Sequence, residues 1–222
     1  MNPDVRIIII AKEPRPGLAK TRLIPALGAE GAAQLADRLL RYTLDQARKA
    51  EVGPVELCVA PDVTAPFWPT LAGAGTVAMS QQIEGDLGRK MAQAANRGLA
   101  TGTPVMLIGT DCPALDAAQL RAMAASLGEN DACLCPVRDG GYSLLGLTRP
   151  APELFRDIPW STSEVAGLTR QRLKELGWRW HESSPLSDID EPDDLHHLRQ
   201  HFPTLLPPQS LALSRTTTGA TP

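Results

Sequence analysis

Four cations, Lys12, Arg15, Lys20 and Arg22, stand between residues 12 and 22 against the single acid Glu13. A loop of that charge suits phosphate oxygens, which Lys meets as a point charge and Arg as a planar fork. The same composition also fits a solvated surface loop. The spacing is not GxGxxG, and it is not GxxxxGK(S/T), because Ala19 stands where the glycine before the lysine belongs. A second candidate is Asp111, which with Thr110 follows an apolar stretch ending at Ile108. A hard divalent cation on nucleotide phosphates takes one or two such carboxylates plus water. The alternative is a turn ahead of Pro113. Cys112 has no assignable His partner and is not read as a nucleophile.

Three further segments carry candidate groups. Residues 182–194 hold six acids and no Lys or Arg. Asp188 and Asp190 share a face if that chain is extended, so either suits a cation. Acids also favour a helix N-terminus through capping and the macrodipole, which is the simpler account of Asp193 and Asp194. Arg138-Asp139-Gly140-Gly141-Tyr142 lies between two apolar runs, where Asp-Gly signals a hairpin. The functional alternative is that Gly140 and Gly141 admit a substrate close to the backbone while Asp139 meets its hydroxyls. Gln82, Gly85, Asp86 and Gly88 mark a turn into a helix whose N–H groups and side chains suit a base or phosphate. His197 and His201 are four apart without a third ligand, so they read as surface histidines.

These segments fall at particular places in the predicted elements. Apolar or β-branched runs predict strands at 5–11, 55–60, 76–81, 105–109, 132–137, 142–147 and 178–182. Helical spacing predicts helices at 29–50, 67–72, 87–99, 116–127, 161–176 and 191–201. Asp116 suits the cap of the fourth, and Ser161 or Thr162 that of the fifth. Strands alternating with helices imply an α/β chain with a mostly parallel sheet covered on both faces. Ligands of such sheets sit beyond the carboxyl ends of the strands, which is where every segment above emerges. Residues 1–202 read as one domain, and 203–222, rich in Pro, Ser and Thr, as a mobile tail.

Composition excludes other classes. The net charge is -3 and the pI about 5.8, without the basic face of a nucleic-acid binder. Aromatic residues, at 4%, are too few for single-strand stacking platforms. Cys133 and Cys135 lack a second pair to complete a zinc site, so the four cysteines read as core thiols. The isoleucine run 7–10 is too short for a signal-peptide core, and no stretch is long enough for a membrane span. A reducing cytoplasm is the expected location.

Six motifs in order, AKEPRPGLAKTRL, QxxGDLGxxM, IGTDCPxL, DGGYxLxGL, WSTxxV and DIDxPxDL, span residues 11–195. Together they resemble a bacterial family of nucleotide-diphospho-sugar transferase-like proteins, some labelled as arsenosugar-biosynthesis glycosyltransferases. The chain is more distantly similar to 2-phospho-L-lactate guanylyltransferase and the molybdenum-cofactor guanylyltransferases. The resemblance implies a three-layer α/β/α, glycosyltransferase-A-type fold that uses Mg²⁺ or Mn²⁺. It implies a nucleotide or nucleotide-sugar donor and a small-molecule acceptor, without nucleic acid. By the same resemblance Asp111 and Asp190 match metal carboxylates, and Lys20 and Arg22 the phosphate loop. Ala11, Lys12, Gly17, Thr110 and the segment from Gln82 through Gly85 and Asp86 to Gly88 match the nucleotide side. Asp139, Gly140 and Gly141 with Trp160, Ser161 and Thr162 are the expected acceptor side. The implied activity is glycosyl transfer from an NDP-sugar; nucleotidyl transfer with release of pyrophosphate, and a non-catalytic nucleotide-binding module, are the alternatives. The glycine-rich LxAGxGxRM signature of sugar nucleotidyltransferases is absent, its place taken by Pro14, Pro16 and Gly17.

Overall fold

A computed structural model of the chain describes residues 4–72 and 77–208. Seven strands, β1 (Arg6–Lys12), β2 (Val55–Ala60), β3 (Ala78–Gln81), β4 (Val105–Ile108), β5 (Ala132–Pro136), β6 (Tyr142–Leu147) and β7 (Trp180–Glu182), form one sheet in the order β3-β2-β1-β4-β6-β5-β7. Only β6 runs against the rest. The carboxyl ends of the other six therefore meet at one rim, and the start of β6 joins them there. Residue 76, the expected first residue of β3, lies outside the described residues, as do 209–222 of the expected tail.

Among the described residues six helices cover the two faces: α1 (Ile24–Ala50), α2 (Trp68–Ala72), α3 (Leu87–Leu99), α4 (Ala117–Ser126), α5 (Val165–Glu175) and α6 (Asp194–His201). Alternate residues of β1 explain why both faces need covering. Ile7 and Ile9 pack with Leu40 and Leu44 of α1, Trp68 of α2 and Leu120 of α4. Ile8 packs the other way, with Met91 and Ala95 of α3 and Leu173 of α5. The three-layer arrangement follows directly from a doubly apolar strand. A third apolar cluster joins Leu23, Leu35 and Leu39 to Ile189, Leu195 and Leu198. It seats the end of the basic loop against the acidic segment. All four cysteines are free and buried. No helix among the described residues is long and apolar enough to cross a membrane.

Local chemistry moves three helix starts from their expected places. α1 begins five residues early, at Ile24, with a break at Gly28, whose φ of 72° only glycine adopts freely. α5 begins at Val165 rather than at residue 161, because Ser161 takes a left-handed φ of 67°. Ser161 and Thr162 thus sit in the turn ahead of the helix, where Thr162 Oγ1 donates to the Pro159 carbonyl at 2.7 Å. α6 begins at Asp194 rather than at 191. Beyond it the chain stays packed as far as the described residues run: Pro203–Leu205 makes a 3-10 turn, and Leu205 and Leu206 bury their side chains against the third cluster.

A charged network lies inside the α3 layer. Glu56 of β2 is nearly buried and accepts hydrogen bonds from Ser80 Oγ, at 2.6 Å, and from Arg97, while Arg6 approaches at 3.7 Å. Removing the acid leaves two guanidinium groups facing each other without a counter-charge. Glu56→Ala is expected to cost about 3 kcal/mol of stability, the scale for breaking one side of a buried ion pair. Chemical denaturation of the variant checks it, and a loss under 1 kcal/mol would show the arginines re-solvate freely.

Candidate functional site

The basic loop leaves β1 at Lys12 and returns through Lys20, whose backbone is left-handed (φ 47°, ψ 46°) ahead of the turn Thr21–Leu23. That turn ends on the fully buried Leu23, which fixes where the loop re-enters the core. The left-handed backbone accompanies an inward-facing lysine. Its side chain is only 5% exposed, with Nζ 2.7 Å from Asp111 Oδ1 and 3.5 Å from Asp190 Oδ1. Nζ also donates to the Ile189 carbonyl. Arg22 Nη1 holds the other oxygen of Asp190 at 2.7 Å and reaches Glu191 at 3.3 Å. Three separate segments, the basic loop, the turn after β4 and the acidic stretch before α6, converge on one ammonium group.

The carboxylates are placed by the backbone. Ile189 is fully buried, and its N–H donates to the Asp111 carbonyl at 2.8 Å. Its neighbours Asp188 and Asp190 are carried to the rim by that anchor. Asp194, expected only as a helix-start acid, turns its carboxylate back to accept the N–H groups of Asp190 and Glu191 at 2.9 and 2.7 Å. This positioning role was not read from the sequence; an acid four residues past the site residue is the only signal for it. Asp188 lies deeper, and burial together with the charge of Asp139 pushes its carboxyl up to about 6. Cys112 Sγ contacts the Ser187 carbonyl at 3.4 Å, and burial raises its thiol to about 11. A thiol so hard to ionise is a poor nucleophile.

Other candidates have structural duties on the same rim. Gln82 is buried and its Nε2 donates to the carbonyls of Ala11 and Cys58, each at 2.9 Å, stitching together the ends of β1 and β2. Asp86 caps α3, accepting the Arg89 N–H at 2.8 Å. Gly85 precedes it with φ 126°, and Gly88 faces Trp160 so closely that a Cβ would sit 2.4 Å from the indole nitrogen. Lys12 is exposed at the end of β1, Gly17 takes φ 79° in the loop, and Thr110 Oγ1 lies 3.5 Å from Asp111 Oδ1.

On the hairpin, Asp139 Oδ1 accepts the Gly141 N–H at 2.8 Å. The close approach that Gly140 permits is to Ser163, whose carbonyl would lie 2.1 Å from an added Cβ. Gly140 also accepts the Ala166 N–H at 2.8 Å, so hairpin and α5 are locked together. Trp160 stands edge-on to Tyr142 at 6.5 Å. Between the hairpin and α5 opens a cleft of about 740 Å³ lined by Arg138, Gly140, Ser163, Arg170 and Ser184 among others. Arg170 is neutralised by Glu182 at 2.7 Å.

The donor set can be tested against a divalent ion. Two carboxylates from different segments already share a cation, and both keep contact with solvent at 52% and 36% exposure. Among the described residues no group of three or more His, Cys, Asp or Glu clusters around one point. Mg²⁺ and Mn²⁺ sites completed by water and substrate phosphates need only one or two carboxylates, so the residues present fit such an ion.

Two outcomes follow from this geometry. A carboxyl whose folded value is raised, as for Asp188, makes the fold less stable as pH climbs from about 4 through 6. Without divalent ions, Asp188→Asn is expected to match wild type below pH 4. Above pH 6 it should be more stable by about 1 kcal/mol, the full shift being reduced by water around a half-buried group. Melting curves across that range check the sign. Gly140→Ala forces both a strained φ and a clash with Ser163, and a loss of about 3 kcal/mol is expected by denaturation.

No curated protein matches the chain by sequence. Among solved structures, a Desulfovibrio desulfuricans protein provisionally described as a nucleotide-diphospho-sugar transferase superposes with a TM-score of 0.83 at 24% identity, covering 96% of this chain and 95% of that one. A nucleotidyl transferase from Methanothermobacter gives 0.56 at 16% identity, over 90% and 98%. The Rv0371c protein of Mycobacterium tuberculosis, solved with manganese, gives 0.55 at 18% identity, over 90% and 100%. At these identities the likeness is one of fold, and it is the fold that the six motifs imply. The family model described as "Uncharacterized protein conserved in bacteria (DUF2064)" matches residues 43–162, more than half of the sequence, and the chain belongs to that family.

Proposed function

We propose that this protein is a divalent-cation-dependent transferase acting on a nucleotide-activated donor, and that the group transferred is a sugar from an NDP-sugar. The observation that carries this reading is the single ammonium of Lys20 held between Asp111 and Asp190 on the carboxyl rim. The likeness in fold to transferases that use nucleotides supports it.

Asp111 and Asp190 would hold Mg²⁺ or Mn²⁺, which supplies positive charge to the donor's diphosphate. Lys20 and Arg22 would bind the same phosphates and stabilise the negative charge that gathers on them as the glycosyl bond breaks. In the transfer, the acceptor oxygen bonds to the sugar's anomeric carbon while the bond from that carbon to the diphosphate breaks. The nucleoside diphosphate leaves with the bonding pair, and the acceptor's proton goes to a base. Asp139 is the proposed base. It stands on the hairpin beside the cleft through which the acceptor would enter, and its Oδ1 is steadied by the Gly141 N–H. Trp160, Ser161 and Thr162 would form the far wall of that side. On the donor side, the rim from Gln82 to Gly88 would face the nucleoside.

Incubation with NDP-sugars or NTPs, with Mn²⁺ and candidate acceptors, distinguishes the chemistries. Free NDP as product supports glycosyl transfer, whereas pyrophosphate release assigns nucleotidyl transfer to the same site. Asp111→Asn is expected to lower turnover by about 10²–10³-fold, as for loss of a charge-stabilising group, and to abolish Mn²⁺-dependent nucleotide stabilisation in a melting assay. Unchanged nucleotide affinity in Asp111→Ala, with no product from any donor, would leave a non-catalytic nucleotide-binding module instead.

A further inference from the structure

We infer that Lys20 is the internal counter-ion of the Asp111–Asp190 pair, and that a divalent cation displaces it only when a diphosphate is present to receive its ammonium. This rests on the proposed role of the two acids as metal ligands. Their geometry carries the rest. Nζ lies 2.7 and 3.5 Å from one oxygen of each carboxylate and donates to the Ile189 carbonyl between them, and the side chain is nearly buried. Arg22 occupies the second oxygen of Asp190. A metal held by the same two acids would compete for them with the ammonium, and like charges drawn to one pair of carboxylates repel.

Departure of Lys20 is nonetheless feasible. Both acids face solvent, so water can take up the carboxylate oxygens that the ammonium gives up. Without an anion to move to, the ammonium would leave three acceptors for none. A diphosphate supplies a new partner at the moment the cation arrives. Metal and diphosphate therefore bind with positive coupling, each raising the other's affinity by the same factor. Lys20 would in this way keep the site from filling with a bare cation while it waits for the donor.

The test measures Mn²⁺ binding by the spin-resonance signal of the free ion, in phosphate-free buffer and without any activity assay. Lys20→Met is expected to bind Mn²⁺ alone at least about tenfold more tightly than wild type, within the usual range of such couplings. Arg15→Met, which removes a charge of the same loop that is paired with Glu13 at 2.6 Å, should change the affinity by less than about twofold. Should Lys20→Met fail to fold, Lys20→Gln replaces it with the same expectation. In wild type, Mn²⁺ with inorganic pyrophosphate should raise the melting temperature by more than the two separate shifts combined. Unchanged or weaker Mn²⁺ binding in the Lys20 variants overturns the inference, as does an equal gain in Arg15→Met or a merely additive shift in wild type. If Asp111→Ala still abolishes Mn²⁺ binding in those cases, the proposed function stands without it. Absence of Mn²⁺ binding from every protein, with or without pyrophosphate, overturns both.

Discussion

Two carboxylates brought together at the end of a sheet repel each other unless a cation or a shared proton stands between them, and much of this molecule can be understood as the means of delivering a cation. Asp111 emerges where β4 stops, and Asp190 arrives from a segment almost eighty residues later. Lys20 comes out of the loop after β1, the strand beside β4. Neither the loop nor the acidic segment is regular, so charge alone would not hold them in register. Leu23 and Ile189, both fully buried in one cluster, supply the missing rigidity. Apolar burial sets the positions, and the ion pairs then form between groups that are already neighbours. That division suits the energetics, because partly exposed ion pairs contribute little by themselves while a buried leucine or isoleucine contributes about 2 kcal/mol.

The same division explains what could be read from the sequence. Strands buried on both faces announce themselves as short apolar runs, and β1, β2, β4 and β6 lie within a residue of their expected limits. The rim rule selected loops that the structure brings to one rim, because it depends only on strand order and direction. Lys20, Arg22, Asp111 and Asp190 meet as the motifs imply. Less legible were features set by backbone handedness or by long-range packing. Ser161 looks like a helix cap but sits in a left-handed turn, and Gly140, read as room for a substrate, is room for Ser163. Gln82 and Asp86 look like ligands of a base, yet each is engaged with backbone groups of the rim. The backward reach of Asp194 had no periodic signal at all. Local pattern finds the elements and the charged loops; it does not reveal which polar groups are already occupied by their own chain.

The two sides of the rim also differ mechanically. The hairpin after β5 is tied to α5 through Gly140 and Ala166, and Trp160 is wedged against Gly88 and Tyr142. These contacts make the proposed acceptor side a continuous packed wall. The loop from Lys12 to Lys20 is held at its ends, by the Glu13 N–H on the Ala60 carbonyl and by the Lys20 ammonium, and between them by local turns, with Leu18 71% exposed.

Lys20 itself shows a conflict between folding and chemistry. A left-handed residue other than glycine costs about 1 kcal/mol relative to the one side chain that adopts this shape freely. For the backbone alone, glycine would be the better choice at this position. Its adoption would leave Asp111 and Asp190 without their shared ammonium, so the gain in local comfort would be returned as repulsion between the acids. The chain tolerates a strained link at the one point where only a long cationic side chain can neutralise both. Attempts to stabilise this protein by relieving unfavourable backbone angles would therefore select this residue early, and in doing so would remove the group around which the rim is organised.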